Sequence, residues 1–419
     1  MKTNKSIYNR VLMVSALLAV FFWCTACSFY GTAVSLCRGI SVKWENGGIS
    51  PLALTRHQTY AKQDGATDQP EVTLWQANSD KEVMTKDKRI MNTDVIVVFG
   101  DCRDITSAVM LHGDFPARSD QFGCAVSSGL AFLLWGSTNV SGLPIKIGGD
   151  VRYVRGVFEE EDPRLFYQVQ DESKELLSNM QLKFPGIGTR EKAESYLVAA
   201  DFSGGMILEL PVIEWILDII FRFPAIILAA GILVRVIRRG KRLWPYPALF
   251  IFFLPSIFAV SAGLFFCMDL PEIPAGFIPT MWSDFEFWKS LFMGHWENLI
   301  TWMMAAPTFR DVRLMLASLM TILFSMCASV FVAIVAFMVR LHAFRDVILG
   351  CVAYTLVLSL LLLPMVSDHN MMFCKAMYLI PCLWFCVDFM FYWQEGKLVF
   401  VPDERKDSDE KSISQQTEN

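Results

Sequence analysis

VLMVSALLAVFFWCTACSFYGTAVSLC, residues 11–37, contains no charged side chain. A helix of that length, at about 1.5 Å per residue, exceeds a hydrocarbon core of ~30 Å. The apolar part of a cleaved secretory signal would be about 7–15 residues, so this run is too long for one. A lipoprotein signal fits no better. Thr25-Ala26 precedes Cys27, but position 24 is Cys where an aliphatic residue is expected. The run therefore predicts an uncleaved transmembrane helix, residues 1–37.

The rest of the 419-residue chain divides in the same way. It is 53% hydrophobic and only 19% charged, and its charge collects in residues 38–211 and the last twenty. That is the pattern of a polypeptide shared between water and lipid. Further uncharged runs are 243–267, 314–339, 347–366 and 376–387, the last prolonged by aromatic residues to Trp393. One more span ends near Arg235 and carries Glu214, Asp218 and Arg222 on a single helix face. From 212 to 239 such a helix would be roughly 40 Å long. Its first third reads as a stalk outside the membrane with a kink at Pro224, or else as a tilted helix whose charges face its neighbours. Six transmembrane helices result, one at 1–37 and five within 212–394.

Basic residues set the direction of threading. Lys2, Lys5 and Arg10 precede the first span; Arg235, Arg238, Arg239, Lys241 and Arg242 follow the second; Arg340 and Arg345 follow the fourth. Loops 268–312 and 367–370 are acidic. With six spans every basic loop falls on one side. Both termini are thus expected in the cytoplasm, residues 38–211 outside it, and residues 395–419 as a disordered cytoplasmic tail. The location implied is a plasma or inner membrane, and membrane lipids are the first partners.

Residues 38–211 suit one domain. Strands are predicted at Val72–Gln76, Val95–Phe99, Gly123–Val126, Pro144–Ile147 and Val151–Val157. Helices are predicted at Ser127–Trp135 with Gly136 as its stop, at Lys174–Asn179 and at Glu191–Leu197. Strands and helices mix without strict alternation, so the fold class is α+β.

Residues 111–162, LHGDFPARSDQFGCAVSSGLAFLLWGSTNVSGLPIKIGGDVRYVRGVFEEED, resemble the MacB-like periplasmic core domain of bacterial ABC-transporter permeases in the MacB/FtsX superfamily. Gly113-Asp114-Phe115 resembles the family's glycine-led start, and Cys124-Ala125-Val126-Ser127 its central strand. Leu134-Trp135-Gly136-Ser137 resembles its helix and turn, and Tyr153-Val154-Arg155-Gly156-Val157 its closing strand. VTLWQA at 72–77 is similar to an upstream segment of some Gram-positive members. The resemblance implies a permease-like subunit coupling a separate cytoplasmic ATPase to an outer domain, for transport or for mechanical transmission. It also implies that the loop at Arg235–Arg242 meets that ATPase; as an orientation signal and lipid anchor the same cluster needs no protein partner. The resembled permeases have four membrane helices, two fewer than predicted here. The alternative is a membrane-anchored sensor or assembly protein that does not transport.

Enzymatic chemistry has no foothold. G-x-x-x-x-G-K-[ST], H-E-x-x-H and G-x-S-x-G are missing, and the five histidines are scattered. No catalytic residue, cofactor or metal site is expected, and a net charge of −5 gives no case for nucleic acid. Nine of the eleven cysteines fall in or beside the predicted spans. The other two, Cys102 and Cys124, could form a disulfide or remain buried thiols.

Three membrane features stand out. Ala317, Thr321, Ser325, Ser329 and Ala333 make a small-residue stripe that marks a packing seam, within the chain or between subunits of an oligomer. Asp388 is an acidic residue inside the last span, expected to pair with Arg340 or Arg345. Phe285, Trp288, Phe292, Trp296, Leu299 and Met303 line one face of a helix at about 283–304, opened by a Ser283/Glu286 capping box. That helix is expected to lie on the outer membrane surface, or to pack as a lid on the domain.

Overall fold

The computed structural model describes residues 2–65, 69–87, 89–186, 188–202, 204–268, 285–305, 307–339, 341, 343–366 and 374–398. Between the first long helix, α1 (Lys2–Leu36), and the remaining long helices lies one mixed sheet of ten strands. The strands are β1 (Ile40–Lys43), β2 (Glu71–Thr85), β3 (Ile90–Phe99), β4 (Met110–Gly113), β5 (Gly123–Ser127), β6 (Pro144–Ile147), β7 (Asp150–Phe158), β8 (Arg164–Gln168), β9 (Asn179–Lys183) and β10 (Met206–Glu209). Their order is β10-β1-β9-β2-β3-β8-β5-β7-β4, with β6 pairing β2 and β7. Only β3 with β8 and β5 with β7 run parallel; the other ladders are antiparallel. Three helices cover the sheet: α2 (Pro51–Gln63), α3 (Ser128–Trp135) and α4 (Arg190–Ala199).

All five predicted strands lie within observed ones. The Ser127–Trp135 helix is α3: the Ser127 hydroxyl accepts from the Leu130 amide at 3.1 Å, and Gly136 ends it at φ 73°. Glu191–Leu197 lies in α4. The helix expected at Lys174–Asn179 does not form. Leu177 bridges Ile49 instead, and Asn179 opens β9, which is hydrogen-bonded on both sides by β1 and β2. A central strand gains two ladders and burial, and that outweighs a six-residue helical pattern. Five strands of four or five residues, β1, β4, β8, β9 and β10, and helix α2 are additions that the sequence pattern alone did not single out.

Successive residues of β5 point to opposite faces and join different parts of the core. Cys124 and Val126 pack with Leu130 and Leu134 of α3; Ala125 packs with Cys102, Phe158 and Phe166. Cys102 and Cys124 are therefore free thiols on opposite sides of the sheet, and the disulfide does not form. Burial pushes the Cys124 thiol up to about 12, which makes it inert.

One glycine in this core is irreplaceable on steric grounds. A Cβ at Gly129 would sit 1.8 Å from the Glu161 carbonyl oxygen, because the first turn of α3 presses on the 160–161 turn. The Gly129 amide donates to Glu160 O at 2.9 Å across that contact. Gly129→Ala should lower the stability of the detergent-solubilised protein by about 2 kcal/mol or more, the cost of overpacking against backbone. A shift in the denaturation midpoint of the full chain would show it.

The remaining helices are α5 (Leu210–Phe221), α6 (Phe223–Leu243), α7 (Pro247–Cys267), α8 (Phe285–Met304), α9 (Phe309–Met338), α10 (Phe344–Val366) and α11 (Lys375–Leu398). By length and composition, Arg10–Leu36, Phe309–Met338, Phe344–Leu363 and Lys375–Tyr392 could each cross a membrane. Helices α5 and α6 are bent by 52° at Arg222 and count as a fifth span if taken together. The Phe253–Cys267 part of α7 is a shorter apolar helix. The chain is thus a membrane protein carrying a mixed α/β domain.

The bend falls where Pro224 marks it, in the first turn of α6. It is tied to α1. Tyr30 donates to Asp218 Oδ1 at 2.9 Å, Arg222 Nε donates to the same oxygen at 2.8 Å, and Trp23 Nε1 donates to Phe221 O at 3.2 Å. So the acidic face of α5 does meet a neighbour. The small-residue seam is also internal: α9 packs along α1, with Ala317, Thr321, Ser325 and Ser329 buried and Ala333 half-buried. Phe324 stacks on Phe22 and Phe29 beside it.

Candidate functional site: the junction of sheet and helix bundle

Chain connectivity already couples the two parts closely. Three residues, Cys37 to Gly39, separate α1 from β1, and none separates β10 from α5. Gly39 takes φ 76° there, where a Cβ would lie 2.2 Å from Leu182 O of β9. Strands β10 and β1 are neighbours at one edge of the sheet. Two helices of the bundle, α1 and α5, are therefore continuous with adjacent strands.

A third connection comes from the start of α9. Thr308 caps it, in a capping box with Asp311, so the first turn is rigid. The side chains that follow enter the sheet domain. Phe309 stands edge-on to Trp75 of β2 and Phe166 of β8, with the Arg164 guanidinium 4.9 Å from its ring centre. Arg310 is 2% exposed. Its fork donates to Leu36 O at 2.6 Å, to Gln181 Oε1 at 2.6 Å and, more weakly, to Ser41 Oγ at 3.5 Å. One guanidinium thus joins the end of α1, strand β9, strand β1 and helix α9. Gln181 Nε2 in turn donates to Arg38 O in the α1–β1 link.

Two ion pairs flank this contact. Lys43 of β1 donates to Ala305 O at 2.6 Å, lies 3.5 Å from Asp311 Oδ2, and sits 5.4 Å from the Trp302 ring centre. Arg313 reaches Glu160 Oε1 at 3.3 Å, and Arg164 bonds the same carboxylate. Burial raises the Glu160 carboxyl above the usual glutamate range, although Arg164 and Arg313 both pull it down. Glu160 therefore takes up a proton at a higher pH than an exposed glutamate, and Arg313 then loses its charged partner. Accordingly, acidification should release the Arg313 side; protease access to the 159–164 turn as pH falls would follow it.

Of the residues singled out from sequence, few belong to this junction. Arg235 does not project toward a partner. It pairs with Asp388 Oδ1, and its guanidinium lies 4.8 Å from the Trp384 ring centre. Asp388 also accepts from the Leu341 amide at 3.0 Å. Pairing with Arg345 is thus corrected to pairing with Arg235: Arg345 is exposed, and Arg340 lies outside the described residues. Arg239 is buried near Phe391, while Arg238, Lys241 and Arg242 are exposed at the end of α6. The Ser283 cap of α8 lies outside the described residues. Helix α8 keeps Phe285, Phe292, Trp296 and Met303 exposed, buries Trp302, and touches β10.

Lys43, Glu160, Arg310, Asp311 and Arg313 carry the junction, and sequence reasoning passed over them. The signal was present: three charges at 310–313 and a Thr-x-x-Asp cap immediately precede the uncharged run 314–339. Read as a topological boundary, that cluster gave no hint of a socket in a distant sheet. A separate groove of about 690 Å³ runs over the sheet domain past Thr73, Arg103, Asp104, Asp114 and Arg118. Its arginines are matched by acids: Arg103 pairs with Asp114 and Arg118 with Asp171.

No family model matches the chain, and no curated protein matches it. Among solved structures, the chain is similar to the periplasmic region of MacB from Actinobacillus actinomycetemcomitans, at 11% identity and a TM-score of 0.34, over 43% of this chain and 92% of that one. It is also similar to the extracellular domain of the noncanonic ABC-type transporter YknZ from Gram-positive bacteria, at 15% identity and a TM-score of 0.27, over 33% of this chain and 75% of that one.

Proposed function

We propose that the chain is a permease-like subunit that transmits movement between a cytoplasmic ATPase and its outer α/β domain. One observation carries this reading: the first turn of α9 is seated in the base of the sheet through Arg310, while α1 and α5 run directly into neighbouring strands. A shift or tilt of the bundle then cannot occur without loading β1, β9 and β10. Packed elements of this kind move between discrete arrangements rather than deforming smoothly.

In this reading the bundle has six spans: α1, α5 with α6, α7, α9, α10 and α11. Both termini face the cytoplasm and residues 38–211 lie outside it, as the basic residues direct. Helix α5 opens the second span with its charges turned toward α1, and the exposed aromatic face of α8 rests in the headgroup layer. Exposed Arg238, Lys241 and Arg242 at the end of α6 meet the ATPase or anionic lipid. The chain itself performs no catalytic step; ATP hydrolysis belongs to the partner. The resemblance at residues 111–162 to permease outer domains supports the same assignment.

Affinity purification from native membranes tests it. The expected result is recovery of a P-loop ATPase with the chain. A tag within residues 60–70 should be labelled by an impermeant reagent in intact cells, and a C-terminal tag should not. Recovery of the chain without any ATPase would overturn the permease reading and favour a membrane-anchored sensor.

A further inference from the structure

Between Asp218 and Asp269 the chain carries six basic residues and no acidic one. Arg222 pairs with Asp218 and Arg235 with Asp388. The other four, Arg238, Arg239, Lys241 and Arg242, crowd the end of α6. Beside Lys241 a groove of about 500 Å³ runs between α6 and α7. Leu233, Ile237 and Lys241 recur every four residues and line it from one face of α6, while Phe250 and Ile257 line it from α7. From Leu233 to Lys241 the groove follows the helix for about 12 Å. Leu233 and Ile237 are half exposed, so it opens to the outside of the bundle. The walls are apolar and the charge stands at one end, where Lys241 and Trp244 are exposed. Trp244 is edge-on to Phe250 there, and tryptophan favours the membrane–water boundary. Gly240 leaves the space free: a Cβ on it would lie 4.0 Å from the Phe250 and Phe253 rings, and a longer side chain would extend toward α7.

An occupant of this groove must be apolar along about 12 Å and anionic at one end. A cytoplasmic protein reaches Lys241 but not Leu233, which lies two turns deeper in the hydrocarbon. A free phosphate would meet the lysine and leave the walls uncovered. A zwitterionic phospholipid covers the walls but brings no net charge to four clustered cations. An anionic phospholipid does both, and basic pockets between membrane helices on the cytoplasmic side suit such headgroups.

We propose that the groove between α6 and α7 binds one anionic phospholipid, with its phosphate at Lys241 and an acyl chain along Leu233, Ile237 and Ile257. The site deepens the contact assigned to Lys241 above. It rests on the bundle lying in lipid with the end of α6 at the inner surface, and needs no ATPase.

The test uses the full chain in phosphatidylcholine vesicles containing a trace of phosphatidylglycerol or of phosphatidylcholine, each with a diazirine in one acyl chain. After irradiation, the phosphatidylglycerol probe is expected to label Ile237 and Ile257 more than the phosphatidylcholine probe does. The exposed Leu356 and Leu360 of α10 should label equally with both. Lys241→Gln should lower groove labelling by the phosphatidylglycerol probe roughly fivefold, the equivalent of the attraction of one lysine to an anionic lipid surface. It should leave the phosphatidylcholine probe and α10 unchanged. Gly240→Leu narrows the groove and should lower labelling there by both probes; if that variant does not fold, Lys241→Gln decides. Groove labelling equal for the two probes, or untouched by Lys241→Gln, overturns the site while the membrane reading stands. No labelling at Leu356 and Leu360 with either probe overturns both. The permease reading is decided separately, by the ATPase that co-purifies.

Discussion

Arg310→Met should destabilise the full-length protein by about 4 kcal/mol, and Arg310→Lys should recover less than half of that. The estimate comes from what each variant leaves behind. Methionine keeps the apolar stem of the side chain but strands the Gln181 amide oxygen and the Leu36 carbonyl in a buried site. Hydrogen bonds to charged groups contribute about 1.5–3 kcal/mol each, and an unmet buried acceptor costs about 1–3 kcal/mol. Lysine restores the charge as a single point. The two oxygens are reached by different nitrogens of a planar fork, and one ammonium on a flexible stem does not reproduce that spread. Denaturant unfolding of the solubilised protein, followed by tryptophan fluorescence, measures the loss. Because Arg310 is where three segments meet, the same variant should also make the α1–β1 link more open to protease.

The second large effect is expected at the other end of the bundle. Asp388→Ala leaves the half-buried Arg235 without its counter-ion, and breaking such a pair on one side costs up to about 3 kcal/mol, the lower end of the range for a fully buried one. Arg235→Met should cost a similar amount, because among the described residues Asp388 would then keep only the Leu341 amide. The double variant Arg235→Met/Asp388→Leu should recover most of the loss, since a neutral pair needs no desolvated charges. That non-additivity separates an ion pair from two independent packing contacts. If the basic cluster at 235–242 acted as one surface patch, Arg235 would behave like Arg238, and its loss would leave stability within about 0.5 kcal/mol of the original. Arg238 is exposed, so Arg238→Met supplies that comparison within the same protein.

Much of the architecture was legible because two solvents impose two patterns. Uncharged runs long enough for lipid correspond to α1, α7, α9, α10 and α11, and the strands that alternate or run apolar correspond to β2, β3, β5, β6 and β7. Gly136 ended α3, and Pro224 marked the bend, because both act through local backbone geometry. Features that depend on distant partners were not legible. Asn179 became a strand because β1 and β2, more than a hundred residues away in sequence, lie on either side of it. Asp388 was matched to the nearest arginines in sequence, whereas Arg235 arrives from a helix 153 positions earlier.

The junction was hidden for the same reason. Arg310, Asp311 and Arg313 look like charges stopping a membrane helix at its interface, which is also true of them. Nothing local says that Gln181, Lys43 and Glu160 wait opposite. Small residues on α9 did announce a seam, and its partner proved to be α1, which also carries the chain into β1. The helix that plugs the sheet is therefore the helix most closely packed against the sheet's own tether. This arrangement ties the bundle to the sheet domain through α1, α5 and α9 together.

The most direct test is a double-mutant cycle between Arg310→Met and Gln181→Leu in the full-length protein, with unfolding free energy as the readout. If α9 is held in the base of the sheet by that contact, the two changes couple by about 2 kcal/mol, as partners in one buried network do. Additivity within about 0.5 kcal/mol would mean the residues do not touch, and the α9 contact between bundle and sheet domain would be gone with it.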